Sequence, residues 1–143
     1  MAESDQVFID SRYGRARFDN AASCVEFKLG ADTQQPVSVE VCVAPDTSPS
    51  SALDAVSAYL DDLLRSEPVM RSEMARRAFE DRRLLEPTLT EACFAQRLRL
   101  QWICCYPLNV DDVIFVDCGS DEKTEYQAAV DKSCRIMGST ELL

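Results

Sequence analysis

From Cys24 to Val43 apolar and polar residues alternate with a period of two. Val25, Phe27 and Leu29 are interleaved with Glu26 and Lys28, and Val37, Val39, Val41 and Val43 with Ser38, Glu40 and Cys42. Such alternation marks strands buried on one face only. The polar stretch from Gly30 to Pro36 supplies the turn between them. Upstream, Val7-Phe8-Ile9 runs into a turn near Tyr13-Gly14, and Ala16 to Phe18 returns. The first third of the chain therefore predicts strands.

The period then changes. Leu53, Val56, Leu60, Leu63 and Leu64 recur at steps of three and four, which draws one apolar stripe along a helix. Ser48 stands where an N-cap belongs, with Pro49 at the first helical position, where its missing N–H costs nothing. Ser66-Glu67-Pro68 repeats that start chemistry, so a second helix begins there. Val69, Met70, Met74, Ala78 and Phe79 form its predicted buried face, and it runs to about Leu85 before Pro87. Thr90-Glu91 opens a short third helix through Gln96.

The last third returns to a period of two. Leu98, Leu100, Trp102, Cys104 and Tyr106 share one parity, and Arg99 and Gln101 the other. Trp102 is therefore expected on the buried side of its strand; were that face open, Trp102 and Tyr106 would be the natural aromatic anchors for a partner. Pro107 to Asp112 reads as a turn, Val113 to Cys118 as a strand, and Gly119 to Thr124 as another turn. Tyr126, Ala128 and Val130 alternate in the next strand, and a short one follows near Cys134 to Met137. Strands, then helices, then strands predict a single α+β domain over residues 1–143. Its expected form is an antiparallel sheet with two to three helices packed on one face.

Composition narrows the function classes. The formal net charge is −10, from 15 basic and 25 acidic residues. Nucleic-acid binding depends on a basic surface that releases counterions, so no nucleic-acid partner is expected. Anionic membranes are disfavoured for the same reason. No apolar run approaches the roughly 20 residues of a membrane span. The acidic start, Met-Ala-Glu-Ser-Asp, lacks the pattern of a secretory signal, so a cytoplasmic location is expected. Residues 65–99 alone are basic, with 8 basic and 6 acidic residues. The arginine pairs there, Arg76-Arg77 and Arg82-Arg83, read as a solvated helix face with ion pairs such as Glu73 to Arg77.

Candidate chemistry is sparse. The chain has no histidine, which removes Ser-His-Asp and Cys-His catalysis and histidine metal sites. Four glycines and no Walker or dinucleotide motif leave little to cradle phosphate. The seven cysteines lack paired C-x₂₋₄-C spacing, so they read as reduced thiols, mostly small core residues. No cofactor, no metal and no catalytic residues are expected. A carboxylate-based enzyme remains the alternative, because a general acid and base could sit among the 25 carboxylates. Asp111, Asp112, Asp117, Asp121 and Glu122, with Glu125, cluster around two turns without the ligand order of a calcium loop. Asp111, Asp112, Asp117, Asp121 and Glu122 are the candidate partner-binding residues, an acidic surface for a basic protein.

One further pattern bears on function. The order Val7-Phe8-Ile9, Tyr13-Gly14, Phe18-Asp19, two valine-rich strands and a helical pair is followed by Leu89-Thr90-Glu91-Ala92 and Leu98-Arg99-Leu100. Val113-Ile114-Phe115 and Tyr126-Gln127-Ala128-Ala129-Val130-Asp131 complete it. It resembles a group of small bacterial domains, many of which occur as immunity proteins in polymorphic toxin loci. The resemblance implies a protein that neutralises a cognate toxin by occluding it. An acidic chaperone for a secreted effector is the alternative; such chaperones typically begin with a helix, whereas this chain begins with strands.

Overall fold

The computed structural model describes residues 6–30, 36–106, 110–119 and 124–142. Four strands come first: β1 (Gln6–Ser11), β2 (Gly14–Asp19), β3 (Cys24–Leu29) and β4 (Val37–Cys42). Three helices follow, α1 (Pro49–Arg65), α2 (Glu67–Leu85) and α3 (Glu91–Arg97). Four more strands complete the described residues: β5 (Leu98–Cys105), β6 (Asp111–Asp117), β7 (Thr124–Val130) and β8 (Ile136–Leu142). All eight lie in one sheet in sequence order.

Every neighbouring pair is antiparallel except β4 and β5, which run parallel. The fold is α+β as expected, but its sheet is mixed. Parallel neighbours cannot be joined by a tight turn and need a long crossover. The whole helical third is that crossover. Two antiparallel meanders, β1–β4 and β5–β8, are thereby welded along one parallel seam from Ser38–Trp102 to Val41–Cys105.

The helix starts follow their sequence. Ser48 caps α1, its hydroxyl accepting from the Ser51 amide at 3.1 Å, and Thr90 caps α3, accepting from Cys93 N–H at 3.2 Å. Ser66 ends α1 and begins α2 in helical geometry, with no side-chain cap bond, so the two helices meet at a one-residue hinge. Along α1, Leu53, Leu60 and Leu63 are buried, and along α2, Met70, Met74 and Ala75. Val69, predicted on that buried face, is 74% exposed. It precedes Met70 by one residue, so its side chain is turned about 100° from the buried stripe.

The core runs through the sheet register. Val25 faces Val41, Phe27 faces Val39, Ile103 faces Val113, and Phe115 faces both Leu100 and Tyr126. α1 contacts β3 and β4, α2 contacts β5 and β8, and α3 contacts β5 and β6. Polar anchors fix the helices. Tyr13 stacks on Phe27 at 5.2 Å, and its hydroxyl reaches Asp61 at 3.0 Å and the Ser57 carbonyl at 3.1 Å. Tyr59 donates to the Asp131 carbonyl at 3.2 Å, and Arg77 donates to that of Ile136 at 3.1 Å.

Three expectations near the end of the chain need correction. Asp111 and Asp112 begin β6 instead of closing a turn. Cys118 lies beyond the end of that strand. The last strand is Ile136–Leu142, while residues 131–135 form a turn held by Asp131, whose carboxylate accepts from Ser133 and Arg135 amides. The backbone reverses there through Cys134 at φ 62°.

The burial pattern separates two substitutions that look alike in sequence. Leu60→Ala should cost about 2–5 kcal/mol through lost burial and the cavity left behind. Val69→Ala should stay within about 0.5 kcal/mol, as exposed positions do. Urea denaturation of both variants checks this; equal losses would mean that α2 presents a different face.

Candidate functional site

One residue decides which side chains the sheet turns away from the core. In β5 Leu100 pairs with Phe115, yet the next paired residue is Trp102, opposite Ile114, so Gln101 is a β-bulge. An extra residue inverts side-chain parity beyond it. Leu98 and Leu100 point into the core before the bulge, and Ile103 and Cys105 do so after it. Trp102, Cys104 and Tyr106 therefore leave the side of Leu98 and Leu100 and stand on the opposite face. The expectation that all five share one face is corrected by this single insertion.

The register shows what surrounds Trp102. One row crosses the sheet as Arg17, Glu26, Glu40, Cys104, Asp112, Ala129 and Gly138. The next runs Lys28, Ser38, Trp102, Ile114, Gln127 and Thr140. Trp102 and Ile114 are half-buried, and Val116, on the same face, is only 6% exposed. Apolar Trp102 and Ile114 are thus bordered by a line of carboxylates. Glu26 faces Glu40 directly, an arrangement that destabilises a sheet unless a cation offsets it. Arg17 pairs with Glu26. Among the described residues the carboxylates of Glu40 and Asp112 have no hydrogen-bond or ion-pair partner. Burial first, then the charges of Glu26 and Glu40, push the Cys24 thiol up to about 11.

The five predicted acidic residues separate. Asp112 stands on the Trp102 face, half-buried. Asp111 and Asp117 are both 0% exposed and take no part in any acidic surface. Asp121 and Glu122 lie outside the described residues. The alternation explains the burial, because Asp111 and Asp117 share the parity of Val113 and Phe115 and close the inward row of β6 at its two ends. That parity was readable in the sequence, and it is the signal for which acids go inside.

A buried carboxylate requires a cation and further donors. Asp111 receives Lys132, whose Nζ lies 2.9 and 3.0 Å from its two oxygens, and the Tyr106 amide at 2.8 Å. Asp117 receives Arg97 through a forked pair at 3.0 and 2.6 Å, and the Gly119 amide at 2.9 Å. Arg97 grips Glu86 with a second fork at 2.9 and 2.8 Å. Arg82 closes the ring, 3.0 Å from Glu86 and 3.4 Å from Asp117. The solvated face expected for the arginine pairs holds for Glu73, which binds Arg76 and Arg77, but not for Arg82, which is inside this cluster. A Cβ on Gly119 would lie 2.3 Å from Arg97 Cδ, so this position has room only for glycine while the arginine is held.

A cavity of about 260 Å³ opens at the carboxyl ends of the parallel strands, lined by Val41, Ala52, Val56, Tyr59, Cys105 and Lys132 among others. Lys132 already donates to both oxygens of Asp111 and to the Tyr106 carbonyl, which occupies its three protons. The cavity therefore offers a ligand mostly apolar wall. Among the described residues no group of three or more Cys, Asp or Glu is arranged to hold a metal ion. No helix among them is long and apolar enough to cross a membrane.

Comparison with known families, curated proteins and solved structures finds no match to this chain.

The Arg97 cluster has a definite acid response. Hydrogen bonds from Arg97, and then from Arg82, hold the Glu86 carboxyl down at about 2, from an ordinary 4.5. A carboxyl depressed in the folded state adds stability above its unfolded pKa and loses it as pH falls to the folded value. Stability should therefore decline as pH falls from 4.5 toward 2. Arg97→Ala should cost about 3–5 kcal/mol at neutral pH, because it strands a buried carboxylate, and should flatten that acid decline. Urea midpoints across the pH range test both; a variant as stable as wild type would remove the cluster from any structural role.

Proposed function

We propose that this chain is a protein-binding module that docks a basic partner on the Trp102 face of its sheet. The observation that carries the proposal is the bulge at Gln101, which sets an aromatic residue beside two unpaired carboxylates, Glu40 and Asp112. In this reading the three helices cover the buried face and leave the other for the partner. Tryptophan is among the side chains that dominate binding energy when a partner desolvates it. Unpaired carboxylates around it attract cationic side chains and speed their approach. The acidic excess of the whole chain, 25 acidic residues against 15 basic, favours the same class of partner.

The immunity reading is the specific form we favour: the partner is a toxin with a basic surface, neutralised by occlusion without any enzymatic step. The acidic surface proposed for it moves from the β6 turns to Glu40 and Asp112, with Asp112 common to both.

The test uses tagged wild-type chain and two variants, Trp102→Ala and Glu40→Arg/Asp112→Arg, against lysate of the native host. A single stoichiometric basic protein should be captured by wild type. Its affinity for Trp102→Ala should fall about 30-fold or more. The charge reversal should slow association and weaken its dependence on salt. Expressed alone the captured protein should arrest growth, and co-expressed wild-type chain should restore it. Undiminished binding by both variants would rule out this face. Capture of several secreted effectors, with no growth arrest, would replace immunity by the chaperone role.

A further inference from the structure

Three of the seven cysteines gather on the Trp102 face. Cys24 and Cys42 are directly opposite each other across β3 and β4, and Cys104 follows on β5 beside Glu40. All three are free thiols. We propose that Cys24 and Cys42 are an oxidation site that closes into a cross-strand disulfide. The proposal stands apart from the identity of any partner.

The geometry is set by the ladder. The Val43 amide donates to the Ser23 carbonyl at 2.8 Å, which makes Ser23 and Val43 a hydrogen-bonded pair. Pairs alternate in an antiparallel ladder, so the next one, Cys24 with Cys42, is of the non-hydrogen-bonded kind. There the Cα atoms approach to about 4.5 Å and the side chains are closest. A disulfide needs a Cα separation of roughly 4.4–6.8 Å with both Cβ vectors on one side. Side chains directly opposite on a pleated sheet meet the second condition. The remaining cysteines are placed otherwise: Cys105 points into the core, Cys93 lies in α3, Cys118 just beyond β6, and Cys134 in the turn before β8.

Exposure assigns the order of events. Cys42 is partly exposed, while Cys24 is only 7% exposed, and its thiol donates to the Glu26 carboxylate at 3.7 Å. With hydrogen peroxide as oxidant, the Cys42 thiolate takes one oxygen, becoming a sulfenic acid and releasing hydroxide. The Cys24 sulfur then attacks the Cys42 sulfur, expelling the sulfenic oxygen; with the Cys24 proton it leaves as water. Two thiols lose two electrons in all and the peroxide is reduced to water. The second step needs the Cys24 thiolate, which burial and the charges of Glu26 and Glu40 disfavour up to about 11. Closure should therefore be slow at neutral pH and quicken about tenfold per pH unit on the way to pH 10.

The test is made on the full chain carrying Cys93→Ser/Cys118→Ser, which removes the two exposed thiols. Stoichiometric peroxide should lower the intact mass by two hydrogens. Non-reducing tryptic mapping should join the peptides that Lys28 separates, one with Cys24 and the other with Cys42. Adding Cys104→Ser should leave that link in place. Adding Cys24→Ser should stop at a sulfenic acid on Cys42, trapped by a dimedone probe. A link through Cys104 in place of Cys24, or peroxide treatment at pH 10 that yields no loss of two hydrogens, would overturn the proposal.

Discussion

The structure depends on the parallel seam between β4 and β5. Each half of the sheet is an antiparallel meander that short turns would build unaided. Parallel pairing of the inner strands requires the chain to leave the sheet and re-enter it in the same direction, and α1, α2 and α3 carry it across. The Arg97 cluster sits where that crossover ends: Arg82 and Glu86 come from α2 and its cap, Arg97 from the last residue of α3, and Asp117 from the end of β6. A fourfold set of opposite charges thus ties the returning helix to the second meander. Such a cluster is weak as a source of net stability but expensive to break, because each member neutralises a neighbour already withdrawn from water. It fixes position more than it adds energy.

The same seam places the face proposed for docking. Glu40 on β4 and Cys104 on β5 are partners across it, and Trp102 follows in the next row opposite Ser38. Glu26 and Glu40 belong to the first meander, Trp102 and Asp112 to the second. Neither meander alone assembles an aromatic residue flanked by carboxylates. The bulge at Gln101 then supplies the parity that turns Trp102 away from the core. The thiol pair lies one row from Glu40, so its chemistry is conducted under the same negative field.

Element identity was legible wherever period and punctuation agreed. The valine alternation of β3 and β4, the leucine stripe of α1 and the capping residues Ser48 and Thr90 all act locally, and local chemistry is what a sequence states openly. Two features were not legible. Parallel pairing of β4 and β5 is a decision made across some 55 residues, and β4 looks the same whichever neighbour it takes. The bulge hides because Leu98, Leu100, Trp102 and Cys104 keep an unbroken apolar parity; the shift appears only when Ile103 is seen facing Val113. The burial of Asp111 and Asp117 lay between these cases. Their parity with Val113 and Phe115 was visible, but acidity near glycine and proline drew them to the turns.

Trp102 is the sole tryptophan of the chain, which makes it a reporter of its own face. The most direct measurement is acrylamide quenching of its fluorescence in the free chain and in the purified complex with the captured basic protein. Docking on this face predicts that quenching falls severalfold and that the emission moves to shorter wavelength, provided that tryptophans of the partner are replaced or subtracted. A stable complex in which Trp102 is quenched as readily as in the free chain would contradict it, and the partner would then have to be sought on another surface.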